Sequence, residues 1–220
     1  MKKFECEDYD LILSYIYNMY REYSENWEQD NANFKINMKK MKIKDIYYLD
    51  TKSEGQLDLK FKRNLYSFKN GLDELLFDIS YNIDKIKINK NIKITSRTKT
   101  EESLINKIFR KKKVEDGSIS INKYLNDLLG FRIIDPYYQE NIDAIIQLLE
   151  SYKKNGMKIT HMFRQNDNYK GYHIYYKSSN FTFPMEIQIW DKCNEQKNIQ
   201  LHKVYKQGYV DTIINKYNYF

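Results

Sequence analysis

The sequence predicts an α/β (α+β) chain: a mixed sheet of about five strands flanked by helices, with an N-terminal helical extension ahead of it. Three observations predict this. Five short runs between residues 91 and 190 read as strands, those at 91–99 and 181–190 by strict alternation. Segments of helical period separate the first three of those runs. Two further helical segments, with a basic stretch between them, occupy residues 1–89. The expected division is therefore an N-terminal helical, basic extension at 1–89 and a second domain at 90–220.

The elements follow in order. Residues 7–29 read as an amphipathic helix, with Leu11, Ile12, Tyr15, Ile16, Met19 and Tyr23 at helical spacing. Residues 35–63, "KINMKKMKIKDIYYLDTKSEGQLDLKFKR", are basic and mixed, and the pattern does not place their elements. A second helix over 64–86 carries Leu65, Phe68, Leu72, Leu75, Leu76 and Ile79, with Gly71 weakening its middle. "NIKITSRTK" alternates as a strand. "TEESLINKIFRKKK" is a helix, with Thr100 as a cap and Glu101 and Glu102 suiting its N-terminal dipole. Gly117-Ser118 breaks the chain, and "LLGFRII" is a short apolar strand. Residues 138–153 form a helix that stops near Asn155-Gly156. "MKITHMFR" is a strand, "QNDN" a turn, and two strands follow at 172–177 and 181–190. A last helix covers 193–207.

Composition excludes several classes. A hydrophobic content of 41% is enough for a core. Cys6 and Cys193 lie far apart without a CxxC pair, so neither a disulfide scaffold nor a zinc module is expected. No apolar run is long enough to cross a membrane, and charges interrupt the N-terminal apolar stretch, which argues against a signal peptide. The expected location is cytoplasmic. The 21 tyrosines suit half-buried faces and stacking surfaces, and an AT-rich coding sequence would enrich them equally. A net charge of +7 fits a polyanionic partner without specifying one.

Four polar clusters require an explanation. Arg97 and Lys99, on one face of a strand, lead into Ser103 and Lys107, on one edge of the next helix. Together they make a polyphosphate cradle; their spacing is equally compatible with a solvated basic face. Asp127 precedes "LLGFRII" and fits either a Mg²⁺ ligand or an ordinary turn residue. Arg132 lies within that strand, where an unpaired guanidinium is costly. In "YKGYH", Tyr169 reads as a loop aromatic and His173 as a core histidine when each is taken alone. Glu186 and Gln188 lie on one face of the last strand, roughly 7 Å apart.

Taken together, "RTKTEESLINK", "DLLGFRI", "YKGYH", "EIQIW" and "LHKVYK" stand in the order and approximate spacing of the RelA/SpoT synthetase family, which the chain resembles over about residues 90–207. The resemblance implies a nucleotidyltransferase-like sheet and transfer of the β,γ-pyrophosphate of ATP to a ribose 3′-hydroxyl, with release of AMP. It implies that Arg97 and Arg132 sandwich adenine, that Lys99, Ser103 and Lys107 hold phosphates, and that Asp127 and Glu186 bind Mg²⁺. Glu186 would also be the general base, supported by Gln188. Tyr169 would stack the acceptor base, with His173 lining its site and His202 serving structure. Such chemistry suits these groups, because phosphoryl-type transfer is mostly positioning and charge neutralisation. The chain departs from the family at Trp190, where Arg is common, at "NYKGYH" in place of Gly-Tyr-x-Ser-x-His, and in the weakly basic "MFRQNDN" before it.

Those departures fall on the acceptor side, and two acceptors compete. One is a guanine nucleotide, giving an alarmone synthetase. The other is the 3′ CCA end of tRNA, modified by a translation-inhibiting toxin with an antitoxin partner. The chain ends 14 residues after Lys206, short of the tetramer-building helices typical of housekeeping small synthetases. Lys39, Lys40, Lys42 and Lys44, with Lys111, Lys112 and Lys113, are candidates for an RNA backbone. The expectation leans to tRNA.

Overall fold

The structure is a computed structural model that describes residues 4–49, 55–86, 91–114, 116–166, 169–201 and 203. His202, Asn168 and the tail beyond Lys203 lie outside the described residues, as do the side chains of Lys111, Lys112 and Lys113.

The five strands expected between residues 91 and 190 form one mixed sheet. They are β3 (Lys93–Thr98), β4 (Leu129–Asp135), β5 (Ile159–Gln165), β6 (Lys170–Tyr176) and β7 (Met185–Asp191), in the order β3-β4-β7-β6-β5. Only β4 and β7 run parallel; the other neighbours are antiparallel. Two shorter strands, β1 (Tyr47–Leu49) and β2 (Gly55–Leu57), pair as a separate ribbon in the stretch whose pattern placed nothing. A short helix α2 (Ile43–Ile46) precedes them.

One face of the large sheet is apolar. Phe131, Ile133, Ile187, Ile189, Ile174 and Tyr176 belong to the hydrophobic core, together with residues of α1 (Phe4–Asp30), α4 (Leu72–Ile83) and α7 (Tyr138–Lys154). The stripe expected on α1 faces the core at Ile12 and Ile16, with Tyr15, Met19 and Tyr23 packed against it, and it extends to residues the periodicity did not mark. Leu11 is 49% exposed, whereas Tyr9, Leu13, Tyr17 and Tyr20 are buried. Three core tyrosines have partners for their hydroxyls: Tyr9 donates to Asp135 Oδ2 at 3.0 Å, Tyr20 to the Phe183 carbonyl, and Tyr152 to Asp10; the Tyr17 hydroxyl has none among the described residues. Burial drives the pKa of Tyr17 and Tyr20 well up. Among the described residues of 1–89, those of α1, α4 and the segment 59–70 thus pack into the same core as the sheet.

Two expected elements are corrected. The single helix over 64–86 is two, α3 (Leu59–Asn70) and α4, meeting at Gly71. A Cβ at Gly71 would come within 2.7 Å of the Tyr23 ring, so the close approach of α1 requires glycine there. Asp58 caps α3 by accepting the N–H of Phe61 at 2.8 Å. The last strand starts at Met185, not Phe181. Pro184 brings no N–H to a ladder, and the Phe183 carbonyl is taken by Tyr20 while its ring packs 5.3 Å from that of Phe68.

Helix α5 (Glu101–Val114) starts as expected, with Ser103 N–H reaching Thr100 Oγ1 at 3.4 Å. Gly117 closes the following turn at φ +65°, with α6 (Ile121–Tyr124) beyond it. After β7, residues 192–194 form a 3-10 turn leading into helical residues 195–201.

Candidate active site

The second face of the sheet is polar, and strand register assembles it. Arg97 pairs with Gly130, Gly130 with Glu186, and Glu186 with Tyr175. One step along, Thr95 pairs with Arg132, Arg132 with Gln188, and Gln188 with His173. Cross-strand partners point to the same side, so four strands deliver Arg97, Arg132, Glu186, Gln188, His173 and Tyr175 to one surface. Arg97 and Arg132, with Glu186 and Gln188, line a cleft of about 170 Å³. That is below the roughly 300 Å³ at which whole-ligand pockets begin. The cleft takes one end of a ligand, and the remainder lies along the open face.

Glu186, 7% exposed, is the most heavily bonded group there. Its Oε1 lies 2.9 Å from His173 Nδ1 and accepts the Tyr175 hydroxyl at 2.8 Å; its Oε2 accepts Gln188 Nε2 at 2.8 Å. A carboxylate only accepts, so His173 Nδ1 donates to it, and Nε2 lies 2.7 Å from the Tyr169 hydroxyl oxygen. Tyr169 in turn accepts Trp190 Nε1–H at 3.1 Å. A hydrogen-bonded chain therefore links Trp190, Tyr169, His173 and Glu186. Burial alone would raise the Glu186 pKa; the His173 and Tyr175 donors outweigh it and hold the group ionised. Burial raises the Tyr175 hydroxyl, and the Glu186 charge raises it further, so Tyr175 stays a donor. Tyr169 is pushed up to about 12, chiefly by burial.

At the strand end beside Glu186, Lys99 Nζ donates to Asp127 Oδ2 at 2.5 Å and Lys107 Nζ to Oδ1 at 2.8 Å. Burial opposes ionisation of Asp127, yet the two ammonium groups bring its pKa down to about 2. Burial also lowers the Lys107 pKa, against the pull of Asp127. Ser103 stands on the first turn of α5, hydrogen-bonded to Thr100 Oγ1 at 2.9 Å.

Arg132 stacks on Trp190, its guanidinium carbon 3.6 Å from the ring centroid. Burial, then the charge of Arg97, lowers its pKa to about 10. Its Nε and the Oε1 of Gln188 are buried without a hydrogen-bond partner among the described residues. Two unsatisfied polar atoms facing one cleft are what a ligand site leaves open.

Of the residues singled out in the sequence, Arg97, Lys99, Lys107, Asp127, Arg132, Tyr169, His173, Glu186 and Gln188 converge here. Lys39, Lys40 and Lys42 are exposed, in the segment before α2. Sequence reasoning passed over Tyr175, although its place two residues after His173 puts it on the same face. It also treated Trp190 only as a departure, without its role under Arg132.

A family model described as "Region found in RelA / SpoT proteins" matches residues 96–209. No curated protein matches the chain.

Proposed function

Because the chain belongs to the RelA/SpoT family and is a pyrophosphokinase of that type, transferring pyrophosphate from ATP, we propose that its acceptor is the 3′-terminal ribose of tRNA. In this reading it is a translation-inhibiting toxin that needs an antitoxin partner. The observation that carries the reaction is the buried, ionised Glu186 at the centre of the polar face, between the two arginines and the Tyr169–His173 pair.

The adenine sits between Arg97 and Arg132, the latter held on Trp190. Lys99, Lys107 and Ser103 take the phosphates. Glu186 accepts the proton of the 3′-hydroxyl; the 3′-oxygen bonds to the β-phosphorus, the bond from that phosphorus to the α–β bridging oxygen breaks, and AMP leaves. His173 and Tyr175 orient Glu186, and Tyr169 stacks the acceptor base.

Pyrophosphokinases of this type generally use Mg²⁺. The donor set fits a hard dication: the carboxylates of Asp127 and Glu186, and the unpartnered Oε1 of Gln188. Lys99 and Lys107, which hold Asp127, are also the cations positioned for phosphates, so an arriving triphosphate competes for them and frees the carboxylate. When bound, Mg²⁺ would neutralise charge on the phosphates.

The departures at Trp190 and "NYKGYH" fall on the acceptor side, and the exposed Lys39, Lys40 and Lys42 support tRNA over a guanine nucleotide. Incubation with γ-labelled ATP and, separately, deacylated tRNA, GDP, GTP and ADP tests this. Label in tRNA is expected; label in GDP or GTP with none in tRNA replaces the toxin with an alarmone synthetase.

A further inference from the structure

Lys158 and Lys177 meet where the β5–β6 ladder begins: Lys177 N–H donates to the Lys158 carbonyl at 3.2 Å. Strand alternation carries Lys177 onto the face of His173 and Tyr175, about 7 Å beyond Tyr175. Tyr175 is the cross-strand partner of Glu186. The Lys177 ammonium donates to Asn180 Oδ1 at 3.0 Å, and that of Lys158 to the Ser178 carbonyl at 2.7 Å. The Asn180 carbonyl accepts the backbone N–H of Met38 at 2.8 Å, which brings the exposed Lys39 to the same corner.

Three cations therefore share one corner. Burial lowers the Lys177 pKa, and the charges of Lys39 and Lys158 lower it further. Among the described residues, no carboxylate pairs with any of the three. The ATP end of the same face differs, since Lys99 and Lys107 share Asp127. Like charges gathered without a counter-ion repel one another, and an anion relieves that repulsion.

We propose that Lys39, Lys158 and Lys177 form a second phosphate subsite, holding a phosphate of the acceptor while its 3′-hydroxyl lies at Glu186. The inference rests on the transfer reading above. Its ligand is a phosphate with two possible sources: the backbone of a polynucleotide acceptor, or the 5′-phosphates of a mononucleotide.

The test is the double variant Lys158→Ala/Lys177→Ala, assayed with tRNA, GDP and guanosine. The acceptor KM should rise about 10-fold or more, with ATP KM and kcat at saturating acceptor unchanged; unchanged ATP KM shows that the fold is intact. Lys158→Arg/Lys177→Arg should restore the KM to within about threefold. If the phosphate is a backbone one, the dependence of log KM on log salt for tRNA flattens by about 0.7 for each phosphate no longer neutralised, and GDP is unaffected. If it is a 5′-phosphate, GDP loses its advantage over guanosine and tRNA is unaffected. Unchanged KM for every acceptor overturns the subsite while transfer itself stands. Should wild type label none of them, the acceptor reading fails, and titrating tRNA and GDP without ATP decides the subsite: equal affinity for wild type and double variant overturns it.

Discussion

The guanidinium of Arg132 rests on the indole of Trp190, 3.6 Å above the ring centroid, and the same indole donates its N–H to the hydroxyl of Tyr169. One buried side chain thus underlies both halves of the site. The aromatic face carries the proposed ATP side and the N–H carries the acceptor side.

That division separates two substitutions. Trp190→Phe keeps a ring beneath Arg132 and loses the donor, so ATP KM should stay within about twofold while acceptor KM rises. Trp190→Leu loses both, and ATP KM should rise about 3–10-fold, in line with a cation–π contact of roughly 1 kcal/mol. Steady-state kinetics with each substrate varied checks the split; equal effects of the two variants on ATP KM would remove the stacking role.

Asp127→Asn should nearly silence transfer and change the acid stability of the protein. The folded-state pKa of about 2 lies below the ordinary 3.8, so the group's contribution is complete above pH 4 and disappears as pH falls through 2. The shift corresponds to about 2 kcal/mol. Denaturant unfolding of wild type and variant should therefore differ by about that amount at pH 6 and converge near pH 2. A difference that persisted at pH 2 would mean that the lysine pairs are not its source.

Glu186→Gln removes the proposed base and should lower kcat by 10²–10⁴-fold, the usual range for general-base catalysis, with ATP affinity within a few-fold of wild type. Tyr175→Phe is subtler. It removes one of the donors that depress the Glu186 pKa, so that pKa rises and the acid limb of the kcat–pH profile moves to higher pH. A profile that falls in height without moving would assign Tyr175 to packing alone.

Gly171→Ala should act on the acceptor selectively. The added Cβ would lie 2.7 Å from the Tyr169 hydroxyl and 3.0 Å from Trp190 Cδ1. Tyr169 must shift, and acceptor KM should rise about 10-fold with ATP KM retained. Tyr169→Ala should abolish transfer with little effect on thermal stability. Activity surviving in both variants would take Tyr169 out of the acceptor site.

Period-two alternation made most of the sheet legible, along with the face that carries Glu186 and Gln188, because a strand's facing pattern depends only on its own residues. The face of α1 was only partly legible: tyrosine counts as neither apolar nor polar until its surroundings are known, and Tyr9, Tyr17 and Tyr20 join Ile12, Leu13 and Ile16 in the core. The break at Gly71 depends on Tyr23, 48 positions earlier, which local propensity does not see. Lys158 and Lys177 lie 19 residues apart and become neighbours only through the β5–β6 register. The burial of Glu186 and Gln188 was not legible either, because it comes from polar neighbours on other strands, His173 and Tyr175 among them.

The hydroxyl bond from Tyr20 to the Phe183 carbonyl spans 163 positions, and that from Tyr9 to Asp135 spans 126. On a ribosome, α1 emerges long before the strand it must lean on. At 5–20 residues per second, the interval between Tyr20 and Phe183 is roughly 10–30 s. Throughout that interval the nascent chain has no β7 and therefore no Glu186. Synthesis itself delays the activity until the sheet closes, and a chain released before Met185 carries the lysines proposed for the phosphates without the proposed base.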